Sequence, residues 1–244
     1  MMDNSFEIMF AHSLDNWWFR GKRMEVEAFL DTMSNGEARP WILDVGCGTG
    51  EIMAHLPAYG NAVGVDFSLE ALGYSHLRGA PNLIQGNGTQ LPLKSSSFDI
   101  ILLLDFLEHT RDDRQVLRDC YDVLTPGGHL LVTVPALPSL WSKRDRELHH
   151  FRRYRKRELT NRLRGAGFQI HRITYRNFLL FPWAYGRYKR ERWTGNEPKM
   201  DIDLVLPPWW LNQLIVGILW LETAVLKVCN LPFGCSLICH ARKS

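Results

Sequence analysis

Three glycines at alternate positions, Gly46, Gly48 and Gly50, lie in the run Asp44-Val45-Gly46-Cys47-Gly48-Thr49-Gly50, directly behind the apolar stretch Trp41-Ile42-Leu43. Such spacing lets the backbone turn sharply and approach a ligand with no Cβ atoms in the way, as a nucleotide-type cofactor requires. Asp66 follows twenty positions after Gly46, where a carboxylate can accept hydrogen bonds from both ribose hydroxyls of an adenosine. A pyridine dinucleotide shares both needs, and a turn with no ligand would show the glycines alone. Asp44 separates the cases. A carboxylate directly ahead of the loop repels a pyrophosphate but suits a ligand carrying an ammonium and a sulfonium group. Position 51 is Glu, where a dinucleotide pattern asks for glycine.

A second set of groups follows the run Phe98 to Leu104: Asp105, Glu108 and His109, at i, i+3 and i+4. A helical turn there puts all three on one face. A further imidazole, His150, opens His150-Phe151-Arg152-Arg153-Tyr154, with His149 beside it as a competitor. Mixed carboxylate and imidazole ligands suit Mg²⁺, Mn²⁺ or Zn²⁺, which chelates adjacent substrate oxygens and favours a deprotonated nucleophile. Without a metal, His109 or His150 is the candidate catalytic base. The plainer alternative makes Glu108 a helix-start residue and His109 a lining of the cofactor pocket.

Such residues need a scaffold that gathers strand ends, and the stretch from 41 to 134 supplies one. Strands are predicted at Trp41–Val45, Ala62–Asp66, Asn82–Gln85, Phe98–Leu104 and His129–Val134. Helices are predicted directly after the glycine loop, from the N-cap Ser68 to Arg78, and from Arg111 to Leu124, the last stopped by Thr125-Pro126-Gly127-Gly128. Alternation of this kind marks a parallel sheet with helices on both faces. A basic helix over Arg155–Arg164 then ends at Gly165-Ala166-Gly167, and a sixth strand covers Phe168–Tyr175. Ser236–Ala241 supplies a seventh strand if residues 179–234 form an insertion. Within it Pro207-Pro208 precedes a predicted helix from Trp209 to Val228, and Gly195-Asn196-Glu197-Pro198 reads as a linker-like break. The expected organisation is a helical cover at 1–39, a cofactor-binding core at 40–178, a helical lid or interface at 179–234 and the last core strand at 235–244. All nine tryptophans lie outside residues 42–140, so the aromatic mass is expected where a substrate is enclosed.

Taken in order, several segments resemble class I S-adenosylmethionine-dependent methyltransferases, in particular the small-molecule branch that includes ubiquinone-pathway enzymes. They are Leu43 to Gly50, Gly64-Val65-Asp66, Gly86-Asn87-Gly88 with Leu91-Pro92, Phe98-Asp99, and Leu124-Thr125-Pro126-Gly127-Gly128. The resemblance covers roughly residues 40–170. It implies a Rossmann-like, doubly wound α/β fold with a seven-stranded sheet, the last strand antiparallel and a helical aromatic insertion before it. It also implies S-adenosylmethionine as cofactor, with the backbone of Gly46, Cys47 and Gly48 along the methionine part and Asp66 on the ribose. Phe67 would lie against adenine, Asn87 and Gly88 at the adenine edge, and Leu104 with Asp44 and Gly50 would complete the set. Family members commonly have Asp at the position of Asn87, and an amide can both donate and accept there. Asp105-x-x-Glu108-His109 with His150 resembles the metal-binding set of plant small-RNA ribose-O-methyltransferases and of some ubiquinone-pathway O-methyltransferases, which have Glu in place of Asp105. The run Asn16-Trp17-Trp18-Phe19-Arg20-Gly21-Lys22-Arg23 reads as the start of a helix that covers the cofactor in related enzymes.

The expected function is therefore methyl transfer to a small, lipophilic acceptor, at oxygen. Carbon methylation, including that of an isoprenoid diphosphate held by the basic segment, is the enzymatic alternative. A cofactor-binding module without catalysis, or a peripheral membrane protein using the fold as a scaffold, is the other. Residues 143–164 carry ten Lys/Arg against three Asp/Glu in a chain of net charge +3. Trp141, Phe151 and Tyr154 are interleaved there, but a solvated helix face is the commoner use of such a run, and nucleic acid is not an expected partner. Five cysteines with no C-x-x-C pair, and a start lacking a basic region followed by an apolar one, lead to the expectation of a reduced, cytoplasmic compartment. The uninterrupted apolar stretch Leu214–Leu221 is expected to be too short to span a bilayer, leaving 209–228 as core, homodimer interface, lid or peripheral membrane contact.

Overall fold

In the computed structural model, which describes residues 5–33, 39–194 and 206–244, the apolar runs become the strands of one seven-stranded sheet. The strands are β1 (Trp41–Val45), β2 (Asn61–Asp66), β3 (Leu83–Gln85), β4 (Phe98–Leu104), β5 (Leu124–Pro135), β6 (Phe168–Arg176) and β7 (Ser236–Lys243). Their order is β3-β2-β1-β4-β5-β7-β6. Strands β1 to β5 pair in parallel, and β7 runs antiparallel between β5 and β6. Ile42, Leu43, Ile101, Leu102, Leu130 and Leu131 are fully buried at consecutive positions, since their side chains enter two core clusters. A parallel strand covered on both faces has no reason to alternate apolar with polar residues.

The helices are α1 (Ser5–His12), α2 (Trp17–Met33), α3 (Leu69–Leu77), α4 (Asp113–Val123), α5 (Lys143–Glu147), α6 (Lys156–Gly165), α7 (Phe181–Thr194) and α8 (Trp209–Val228). Side-chain caps set several starts: Ser68 accepts from the Ala71 amide, Asp112 from that of Gln115, and Asn16 from that of Trp18. Two expectations are corrected. The helix predicted behind the glycine loop is replaced by turns and one 3-10 turn, Leu56–Ala58, with Pro57 in its first turn. Strand β5 begins at Leu124, which pairs with Phe98, so Thr125 to Gly128 is drawn into the sheet across an irregular register. The Gly195–Pro198 break lies outside the described residues.

Helix α8 changes the reading of the C-terminal region. It is 20 residues long and holds an 18-residue window of mean hydropathy 1.4, so it is long and apolar enough to cross a membrane by length and composition. That corrects the expectation drawn from Leu214–Leu221 alone. One face is nevertheless tied to the protein and packs on α2. Asn212 accepts from the Trp17 amide at 3.0 Å and donates to the Asp15 carbonyl at 2.8 Å, while Glu222 accepts from the Leu179 amide at 2.9 Å. Trp183, Trp193, Trp209, Trp210 and Trp220 are exposed, so most of this aromatic mass points outward instead of enclosing a substrate. Beneath α2, the buried Arg176 at the end of β6 pairs with the buried Glu25 at 2.6 Å. Burial, opposed by Arg176, pushes the Glu25 carboxyl up to about 7.

Candidate active site

Strands β1, β2, β4 and β5 end along one edge of the sheet, and the strand order reverses direction at β1, so a crevice opens between the segments that follow β1 and β4. Gly46 turns there at φ 77°, and a Cβ on it would sit 2.5 Å from the Phe106 ring. The space beside Gly48 is open. Asp66 closes β2 with one carboxylate oxygen accepting from the Gly48 amide at 2.8 Å and the other from the Ser68 amide at 2.9 Å. Its carboxylate is thereby fixed against the loop, and each oxygen keeps a lone pair for a ribose hydroxyl.

Asp44 is buried, and that burial pushes its carboxyl up to about 7, with Lys22 drawing it down and Asp66 adding to the rise. Glu51 is pushed up to about 7 by the same cause. Two such carboxyls behind an open loop favour a cationic ligand group, which restores the charged form. The ammonium and sulfonium of S-adenosylmethionine fit that demand, as Asp66 fits its ribose. Burial also pushes the Cys47 thiol above its ordinary range, so Cys47 offers its backbone and not a thiolate. Phe67 stands 77% exposed at the mouth, free to lie against a ring. Asn87 spends its oxygen on the amide and hydroxyl of Thr89, at 2.9 and 2.8 Å, which leaves its NH₂ for an adenine edge. Phe106 also lies within 2.5 Å of where a Gly88 Cβ would be, so one ring wedges between the two glycine segments. Leu104 is half-buried at the end of β4.

On the other side of the crevice the predicted face of three ligands does not form. Asp105 takes a left-handed backbone, φ 54°, and the 3-10 turn Leu107–His109 follows in place of an α-helical turn. Its carboxylate is engaged by Lys22 at 2.5 Å and by the Thr133 hydroxyl at 3.0 Å. Burial raises that carboxyl, but Lys22, Arg176 and Thr133 more than offset it and bring it down to about 2. Asp105 therefore stays outside the group formed by Glu108, His109 and His150, whose ligand atoms all lie within 4.8 Å of one another. Glu108 Oε2 is buried with no hydrogen-bond partner, and burial followed by the Asp105 charge raises that carboxyl well above its usual range. The crowded surroundings of the His109 ring, then His150, lower it to about 4 although part of the residue faces solvent.

His150 reaches this place through its own loop. A capping box of Ser142 and Asp145 starts α5, the His150 amide donates to the Asp145 carbonyl at 2.8 Å, and the Phe151 amide donates to the Glu108 carbonyl at 2.7 Å. Tyr154, buried, donates to Asp113 at 2.8 Å. His149 takes a left-handed backbone at φ 55°, and it is His150 that joins the group. Its ring meets that of His109 edge-on, with centroids 4.7 Å apart. Its Nδ1 lies 3.0 Å from Asp145 Oδ1. Burial raises the Asp145 carboxyl, but bonds from His150, Arg153 and Ser142 win and hold it far below the usual carboxylate range. An ionised Asp145 keeps the proton on Nδ1 and leaves Nε2 as the basic nitrogen.

Sequence reasoning missed three residues here. Lys22 was visible only as a cation on a covering helix, Asp145 only as a third-position acid after Ser142, and Phe106 only as an apolar residue between strand and turn. Four of the ten cations of the basic segment are committed to its own fold: Arg152 and Arg162 bind Asp113, Arg153 binds Asp145, and Lys143 pairs with Glu147.

Sheet order, glycine loop and strand-end carboxylate together are those of the Rossmann-like class I S-adenosylmethionine-dependent methyltransferases, whose fold the chain shares and to which it is similar in sequence. Residues 43–132 match the methyltransferase domain family. An S-adenosylmethionine-dependent methyltransferase of Mycolicibacterium smegmatis is 28% identical over 162 residues, 64% of this chain and 61% of its own length. A ubiquinone biosynthesis O-methyltransferase of Marinobacter nauticus is 26% identical over 154 residues, 54% of this chain and 65% of its own length. The chain thus spans less than two thirds of these relatives. The solved structure of an S-adenosylmethionine-dependent methyltransferase from Thermotoga maritima shares the fold with a TM-score of 0.62 and 18% identity, over 99% of this chain and 96% of that one.

Proposed function

We propose that the protein transfers a methyl group from S-adenosylmethionine to an oxygen of a small, lipophilic acceptor, with His150 taking the acceptor's proton. The observation that carries this reading is the 3.0 Å contact between His150 Nδ1 and the ionised Asp145. A carboxylate behind an imidazole fixes its tautomer and stabilises the imidazolium formed when it accepts a proton. When bound, the cofactor supplies an electrophilic methyl group. The chain's own residues would hold it: Asp66 the ribose, and the Gly46–Gly48 backbone with Asp44 the methionine ammonium. A hydroxyl nucleophile needs a base, and holding it in near-attack geometry supplies much of the remaining rate. The O-methyltransferase of ubiquinone biosynthesis among the relatives supports oxygen as the acceptor atom. A diphosphate acceptor loses support because Arg152, Arg153 and Arg162 already hold carboxylates.

A second reading has its own observation. Glu108 Oε2 is buried without a partner beside two imidazoles, a donor set that suits a divalent cation, with Asp145 orienting His150 from behind. Glu108, His109 and His150 would hold the ion, which would lower the pKa of an acceptor hydroxyl.

The test is release of S-adenosylhomocysteine from a panel of phenolic and catecholic acceptors, with and without chelator. Turnover that survives chelation and the His109→Ala change but not His150→Ala supports the base. Loss on chelation with recovery on adding Mg²⁺, Mn²⁺ or Zn²⁺ assigns the metal. No product with any acceptor, despite cofactor binding, would overturn the enzymatic reading.

A further inference from the structure

We propose that α8 and α7 form a docking face for an anionic lipid bilayer, on which the protein lies without crossing it. The face is defined by what the fold leaves uncovered. Along α8 the side toward α2 carries Asn212, Val216, Leu219 and Leu226, all buried. The opposite side carries Trp209, Trp210, Leu214, Trp220, Leu221 and Val228, exposed at 78, 64, 56, 64, 52 and 84%. At 1.5 Å rise per residue, a stripe of this length runs ~30 Å along the surface. Contiguous exposed apolar surface on that scale marks an interaction site, whereas scattered exposed leucines do not.

Three observations choose the occupant. First, the aromatic content is tryptophan, whose apolar ring and single N–H suit the boundary between headgroups and acyl chains. Second, the chain entering α7 is fastened to α8 by the Leu179 amide on Glu222, and Phe178 and Phe181 meet Phe233 in the loop that follows α8. α7 carries Arg187, Lys189 and Arg190, with Arg187 over the Trp183 ring and Lys189 over the Tyr185 ring. Cations on aromatic stems complement anionic headgroups. A second copy placed symmetrically on the same face would oppose one basic α7 to another. Third, α8 is anchored to the protein by polar bonds. Crossing the bilayer would strip Asn212 from Trp17 and Asp15, and Glu222 from Leu179, and place a carboxylate in hydrocarbon. A helix with one face bonded to its own protein and the other apolar and tryptophan-rich lies in the interface plane.

Vesicle sedimentation tests this on the full chain, using phosphatidylcholine vesicles with and without phosphatidylglycerol, and the variants Leu214→Glu and Trp220→Glu. Both positions are exposed and lie on the side of α8 away from the buried Asn212 and Glu222, and Leu77→Glu on the exposed side of α3 serves as a control. The expected result is binding to the phosphatidylglycerol vesicles that weakens with salt, a drop of ~tenfold or more in partition for the two α8 variants, and none for the control. Unchanged melting temperature and cofactor binding in the variants would exclude misfolding as the cause of that drop. Wild-type protein left in the supernatant at every composition, or α8 variants that partition like wild type, would overturn the proposal. A dimer in sedimentation velocity that Leu214→Glu turns into monomers would overturn it too, assigning the face to a second copy. The readout is independent of turnover, so failure here and failure of the methyltransferase reading are separate outcomes.

Discussion

On the β1–β2 side of the crevice, Gly46, Gly48, Asp66 and Ser68 meet through backbone amides and one carboxylate, all within a short stretch of chain. On the β4–β5 side, Glu108, His109 and His150 meet only because the loop from Trp141 to Arg155 returns past the strand ends and is pinned there by Asp113 and Asp145. The first side works by the atoms it lacks and so should tolerate no added Cβ. The second works by side-chain chemistry placed by long-range packing, and should survive loss of a functional group as a fold while failing as a catalyst.

The sharpest way to break that distinction is His150→Ala. Turnover is expected to fall ~10²–10⁴-fold, the range for a lost general base, with cofactor affinity by calorimetry nearly unchanged. A matching loss of cofactor binding would show that the two sides are one unit. Next is Gly46→Ala, which needs a left-handed alanine and drives its Cβ to 2.5 Å from the Phe106 ring. A strain of ~1–2 kcal/mol before the clash corresponds to a ~5–30-fold weaker cofactor, seen in the same calorimeter. Asp44 gives a smaller, pH-dependent effect. Its carboxyl is raised to about 7 in the free protein, so below that pH a bound cation must first expel a proton. Cofactor affinity is expected to fall with decreasing pH below 7, approaching ~tenfold per unit, and Asp44→Asn should flatten the curve. The smallest effect belongs to a site away from the crevice. His240 is stacked on His171 and lies 2.9 Å from His129, and burial followed by those rings lowers it to about 4. The unfolded chain then binds the extra proton between about 6.5 and 4, so stability drains away as pH falls through that window. His240→Gln should remove that component, a few degrees of melting temperature at the acid end.

The same contrast explains how legible each half was. β1, β4 and α8 were readable to the residue because each is a predominantly apolar run bounded by polar or turn-forming residues. Asp66 and the loop glycines were readable because their partners are near in sequence. Asp105 was misplaced since an i, i+4 pattern presumes an α-helical turn, and a strand end tied to Thr133 and Lys22 overrode it. Asp145 carried no signal beyond helix capping, because its role depends on His150 folding back over the helix it caps.

One feature of the sheet bears on how the chain reaches this state. Among the described residues β6 pairs only with β7, and β7 is the latest of the seven strands in sequence yet sits inside the sheet, between β5 and β6. Contacts that span so much chain form slowly, since the loop must close before the pairing compensates for it. Until residues 236–243 arrive, β5 presents a bare hydrogen-bonding edge and β6 has no neighbour at all. During synthesis, then, the cofactor half can assemble early, while the flank carrying β6 waits for the last strand to zip it shut, and that interval is when unpaired edges leave the molecule most open to aggregation.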